Sequence, residues 1–108
     1  MPELYHLMGP LTEQFLRSVT ANIAFVGTPA ADVSYGLSTP TLEKVPLKQG
    51  IIRAAQRAVL VADASKFNRR ATYQICPLTD LSLIISDRSL PAEVAEAIRR
   101  GGVPLDLV

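Results

Sequence analysis

The 108-residue sequence holds one cysteine, one histidine and no tryptophan. A lone Cys76 excludes an internal disulfide framework and any multi-cysteine metal site, and His6 lies too far along the chain from it to give zinc-ligand spacing. The expectation is a reduced, cytosolic chain with no metal or other cofactor. Long apolar runs are missing as well. Ala58 to Ala62 is among the longest, far short of the ~20 residues of a membrane-spanning helix, and the start of the chain has no basic stretch leading into an apolar one. No membrane partner is expected. Charge excess is also absent: 11 Lys+Arg against 10 Asp+Glu give a formal net charge of +1, which supplies no chain-wide field for nucleic acid or an anionic surface. There is no repeat, no low-complexity tract and no Gly/Pro-rich linker, so residues 1–108 read as one domain.

What is present is apolar residue in quantity, 48% hydrophobic against 19% charged with mean hydropathy +0.22, so the chain needs a covered interior. Its patterning alternates strands with helices. "LTEQFLRSV" (11–19) spaces Leu11, Phe15, Leu16 and Val19 for a short amphipathic helix after Gly9-Pro10. "NIAFVG" (22–27) is a brief buried-strand run closed by Gly27, and the stretch from Thr28 to Thr41, with two prolines and Gly36, reads as a loop. From Val45 a helical face runs through Leu47, Ile51, Ile52, Ala54, Ala55 and Ala58, with Pro46 in its first turn. "AVLVAD" (58–63) and "LSLIIS" (81–86) are continuous strands of the kind covered on both faces of a parallel sheet, and "TYQIC" (72–76) is a short strand between them. "LPAEVAEAIRR" (90–100) has Pro91 and acids early, Arg99-Arg100 late and Gly101-Gly102 as its stop, which makes a well-signalled helix; "VPLDLV" (103–108) adds an edge strand. The rhythm predicts an α/β fold, a mostly parallel sheet flanked by helices.

In such sheets ligands sit beyond the carboxyl ends of the strands, which draws attention to Asp63-Ala64-Ser65-Lys66 at the end of a central strand. Lys66 offers a compact positive charge for a phosphate, Asp63 accepts from sugar hydroxyls, and Ser65 with nearby amides completes an anion cradle. Read from spacing alone, the plainer alternative is a turn in which Asp63 and Ser65 satisfy local amides and Lys66 points to water. Elsewhere, Gly9-Pro10 reads as a turn and Tyr35-Gly36 as a loop pair able to approach a ligand. Glu43 and Lys48 read as a solvated ion pair and Arg69-Arg70 as a small basic pair beside the turn. His6 has no base partner or nucleophile, and Cys76 is a packed, inert thiol.

"NIAFVG", "YGLST", Glu43 and Lys48, "VLVADASKF" and "CPLTDLSLIISD", in that order and spacing, resemble the carboxyl-terminal effector domain of DeoR-type bacterial transcriptional regulators, with Asp63-Ala64-Ser65-Lys66-Phe67 the most specific piece. The resemblance runs from about Gly9 to the terminus. It implies a fold related to ribose-5-phosphate isomerase, glucosamine-6-phosphate deaminase and CoA-transferases. It also implies a phosphorylated sugar or similar effector, a homo-oligomeric repressor, and DNA contact only through a winged helix-turn-helix domain that this chain lacks. The resemblance favours a ligand role for the turn of Asp63, Ser65 and Lys66; Gly27, Tyr35 and Gly36 stand beside them as candidate ligand-binding residues, and no catalytic residue is expected. The family's phosphate loop, Thr-Asn segment and Gly-Gly turn are not found here, so the resemblance implies an effector domain cut short on its N-terminal side; Asn22 also stands where the family often has Asp. Three classes stay open at this point: a non-catalytic sensor, a small sugar-phosphate isomerase using Asp63 or Glu43 as base, and a remnant acting only through oligomerisation.

Overall fold

The computed structural model describes residues 21–108. The helix expected at 11–19, Gly9-Pro10 and His6 lie outside the described residues. Four strands form a parallel sheet in the order β1-β4-β6-β7: β1 (Ala21–Val26), β4 (Ala55–Val61), β6 (Leu83–Ser86) and β7 (Leu105–Leu107). Val26 registers with Leu60, Leu60 with Ile84, and Ile84 with Leu105, so these side chains share one face of the sheet. A second, antiparallel sheet orders β2 (Ala30–Asp32), β3 (Gly36–Thr39) and β5 (Tyr73–Cys76). Among the described residues the α-helices are α1 (Lys44–Ala54) and α2 (Ala92–Arg100).

The strand order is monotonic, and right-handed crossovers are the rule for parallel sheets, so every connection falls on the same face. That face is the core: Val26, Leu60, Ile84 and Leu105 pack with Leu47, Ile51 and Ile52 of α1, with Val94, Ala95 and Ile98 of α2, and with Leu37, Phe67 and Ile75 of the smaller layer. The opposite face differs from the expectation that continuous strands are covered on both sides. There Ile23, Phe25 and Val61 are exposed by 46%, 59% and 49%, while Val59 is buried.

Two further expectations change. The stretch read as a loop contains β2 and β3, because Ala30, Ala31, Leu37, Ser38 and Thr39 are buried against β5 and the turn after β4. Its prolines sit just outside the strands, at 29 and 40, where a missing amide removes no ladder bond. The helix read through Ala58 stops at Ala54, and the chain turns extended at Ala55 (φ −93°, ψ 142°) to enter β4 without a loop. The small residues Ala55 and Ala58 fit either period, and pairing of Ala55 with Ala21 and Ala58 with Ala24 decides for strand. Among the described residues no helix is long and apolar enough to cross a membrane.

Candidate functional site

The carboxyl rim of the parallel sheet carries the polar groups singled out above. β4 ends at Val61, and Asp63 starts a 3-10 turn over Ala64–Lys66. Asp63 Oδ1 accepts from the Ser65 amide at 2.9 Å and from the Ser65 hydroxyl; the Lys66 amide donates to the Asp63 carbonyl at 3.1 Å and the Phe67 amide to that of Ala64 at 3.2 Å. The turn is therefore locally satisfied, as the plainer alternative requires. It nevertheless leaves the Lys66 ammonium with no hydrogen bond or ion pair among the described residues.

Buried Phe67 bridges to Ala31 of β2, the Arg69 amide donates to the Ala31 carbonyl at 3.2 Å, and the Ala71 amide to Ser38 Oγ at 2.8 Å, which ties the segment after the turn to the small sheet. Arg70 closes the far end. Its Nε donates to Asp32 Oδ2 at 3.2 Å and its NH2 to Ser34 Oγ at 2.7 Å, and its guanidinium lies 5.4 Å from the centre of the Tyr35 ring. Gln74 donates to the Tyr35 carbonyl at 2.6 Å.

The six sequence-derived candidates thus divide. Gly27 follows β1 directly, in line with the end of β4, and so shares the rim with Asp63, Ser65 and Lys66. Tyr35 and Gly36 belong instead to the β2–β3 hairpin, where Tyr35 meets Arg70 and Gly36 is buried against the backbone of Cys76 and Pro77. The pair read as Glu43–Lys48 does not form: Lys48 Nζ donates to the Gly27 carbonyl at 2.7 Å, while Glu43 is exposed and makes no capping bond. Local reading missed Lys48 as a rim residue because its partner lies 21 positions away. Also at the rim, Ser86 ends β6 on the core face with a buried hydroxyl that has no hydrogen-bond partner among the described residues.

The electrostatics follow from these contacts. The Ser65 hydroxyl, then the Ser65 amide, hold the Asp63 carboxyl below its ordinary 3.8 against a small burial effect, with Lys66 and Arg69 adding to the lowering. Burial alone would raise Asp32, but the Ser34 hydroxyl, the Tyr35 amide, Arg70 and the Ser34 amide together bring it below 3.8. Burial and the neighbouring Lys44 charge depress Lys48 below 10.5. Both carboxylates are favoured as anions by the fold, so their support is fully present above the unfolded value and is lost as pH falls through the lower folded value. In a carboxyl-carbon NMR titration, Asp63 and Asp32 should both show midpoints below 3.8. Ser65→Ala should return Asp63 toward that value and leave Asp32 where it was; a wild-type Asp63 midpoint at or above 3.8 would mean the turn is not formed in solution.

A separate cleft of about 310 Å³ opens between α1 and β5, lined by Gln49, Ile52, Arg53, Cys76 and Asp80 among others. It lies toward the end of α1 that feeds β4, away from the carboxyl rim, and its Cys76 thiol is pushed up to about 11 by burial and by Asp80, hence protonated and unreactive near neutrality. The rim, where the Lys66 ammonium makes no hydrogen bond or ion pair among the described residues, is the stronger candidate site. Among the described residues no cluster of three or more His, Cys, Asp or Glu is placed to hold a metal.

Comparison with known proteins matches residues 2–88 to a family described as the DeoR C terminal sensor domain. The chain is 38% identical over 101 residues to an HTH-type transcriptional regulator of Haemophilus influenzae, covering 94% of this chain and 39% of that protein. It is 38% identical over 97 residues to the HTH-type transcriptional regulator GlpR of Haloferax volcanii, covering 90% and 38%. With a putative aga operon transcriptional repressor of Escherichia coli O157:H7 it shares 33% identity over 100 residues, 93% and 37% of the two chains. The chain therefore spans about two fifths of the length of these relatives.

Proposed function

This chain belongs to the DeoR C-terminal sensor-domain family, of sugar-isomerase-like fold, and from that premise we propose that it binds a phosphorylated sugar or similar metabolite at the carboxyl rim without transforming it. Lys66 pairs with the phosphate, and Asp63 with Ser65 fixes hydroxyls. The observation that carries this reading is the turn itself, which stands off the end of a central strand with an ammonium group that makes no hydrogen bond or ion pair with a described residue. A sensor role also suits the chemistry of Asp63. A carboxylate held below its ordinary pKa and already accepting from Ser65 is a poor base for proton abstraction.

The signal leaves through the small sheet. Residues 67–71 connect the turn to β2 and β3 through Phe67, Arg69 and Ala71, so a ligand that binds one arrangement of residues 28–40 more tightly than another shifts that equilibrium. The relatives are named as HTH-type regulators. In this reading residues 1–108 form one effector-binding domain that works as a homo-oligomer, and DNA contact resides in a winged-helix domain outside them.

The test is thermal denaturation against a panel of sugar phosphates, the same sugars unphosphorylated, and sugar-free controls, with Lys66→Ala in parallel. Ligand that binds only the folded chain stabilises it by mass action, about 2.7 kcal/mol at a hundredfold excess over Kd. One phosphosugar should raise the melting temperature by several degrees, its unphosphorylated counterpart should do less, and Lys66→Ala should lose most of the shift. A response that Lys66→Ala leaves intact removes the turn from the site. Turnover of the bound phosphosugar, checked by NMR, would replace the sensor reading with the isomerase one.

A further inference from the structure

The rim holds a second ammonium group. Lys48 is partly buried on α1 and gives one of its three N–H bonds to the Gly27 carbonyl at 2.7 Å. No carboxylate balances it: the ion pairs among the described residues are Arg70–Asp32 and Arg100–Glu96. The Lys44 charge repels it. A partly buried charge with no counter-charge is costly unless something neutralises it. A Cβ built on Gly27 would meet nothing within 4 Å. Since Val26 registers with Leu60, the carbonyl that anchors Lys48 sits one strand spacing, about 4.8 Å, from the carboxyl end of β4, whose continuation is the Asp63–Lys66 turn.

We propose that Lys48 is a second phosphate-binding cation: it and Lys66, at the ends of neighbouring strands β1 and β4, together receive the dianion of a phosphomonoester, with Lys48 positioned by its bond to the Gly27 carbonyl. The inference rests on the ligand reading above and deepens it. A single lysine attracts any anion weakly, whereas two ammonium groups on adjacent strand ends favour a doubly charged phosphate over a chloride or a singly charged carboxylate.

The probe is inorganic phosphate, compared with sodium chloride at equal ionic strength, on the full chain and on Lys48→Met, Lys66→Ala and Lys44→Met. The readout is the difference in melting temperature between the two salts for each protein, so that any change in baseline stability cancels. Phosphate in the tens of millimolar should stabilise the wild type and Lys44→Met by a few degrees more than chloride does, and Lys48→Met should lose at least half of that difference. A full phosphate response in Lys48→Met overturns the proposal, and so does a wild type that responds equally to the two salts. If Lys66→Ala alone loses the response, the ligand site stands without Lys48. Should Lys48→Met fail to fold, the side-chain ammonium resonance of Lys48 in the wild type decides: a saturable shift on adding phosphate supports the proposal, and an unmoved resonance overturns it.

Discussion

Replacing Gly36 with alanine is expected to destabilise the protein by about 3 kcal/mol, through two costs that act together. Gly36 opens β3 at φ +85°, and a residue with a Cβ pays about 1–2 kcal/mol to occupy that left-handed region. The added methyl would also overlap the Cys76 carbonyl oxygen and approach Pro77 Cα to 2.8 Å. Both obstacles are backbone, so relief requires β3 and β5 to separate, a strain of about 1–3 kcal/mol. In a domain whose whole stability is about 5–15 kcal/mol, this lowers the melting temperature by roughly 10–20 °C. Gly27→Ala is the control, since its φ is ordinary and its Cβ has open space; it should change stability by about 0.5 kcal/mol or less. Equal losses from the two substitutions, measured by denaturant unfolding, would show that β3 and β5 do not approach as described. Because Gly36 also sets the start of the hairpin held by Arg70 and Gln74, the same variant should weaken any response transmitted from the turn to β2 and β3.

That position shows where sequence reading reaches and where it stops. Gly36 stood out as a loop glycine able to approach a ligand; its positive φ serves the start of β3, and its neighbours were invisible, because Cys76 and Pro77 come near only through the β3–β5 pairing. The parallel strands were legible from their apolar runs, as was α2 from its caps and charges, since those signals are contained within each segment. β2 and β3 were not. Three and four residues long, flanked by Pro29 and Pro40 and rich in small polar side chains, they become strands only by pairing with each other and with β5. The site divides in the same way. Asp63, Ser65 and Lys66 are adjacent in sequence and could be placed by the end-of-strand rule, whereas Lys48 was assigned to the nearest acid in sequence when its actual partner is the Gly27 carbonyl.

Leu60→Ala tests whether that rim rests on the core described here. Leu60 is fully buried near the carboxyl end of β4, registered between Val26 and Ile84, three residues before Asp63. Truncating it removes apolar contact on both flanking strands and leaves a cavity that β1 and β6, each fixed by its own ladder, cannot collapse to fill. The expected cost is about 3 kcal/mol, within the 2–5 kcal/mol of buried leucine truncations. The next residue, Val61, points to the opposite face and is half exposed, so Val61→Ala should cost less than about 1 kcal/mol. Leu60→Met, which nearly conserves volume, should fall below about 1.5 kcal/mol. Urea unfolding of the three variants reads these differences directly, with the midpoint moving and the slope unchanged if only the folded state is altered. If Val61→Ala proved as damaging as Leu60→Ala, the open face of the sheet would be buried in solution and the one-sided core would be wrong. With the ordering as expected, the carboxyl rim stands on a packed layer, and the site proposed at Lys66 rests against a rigid edge.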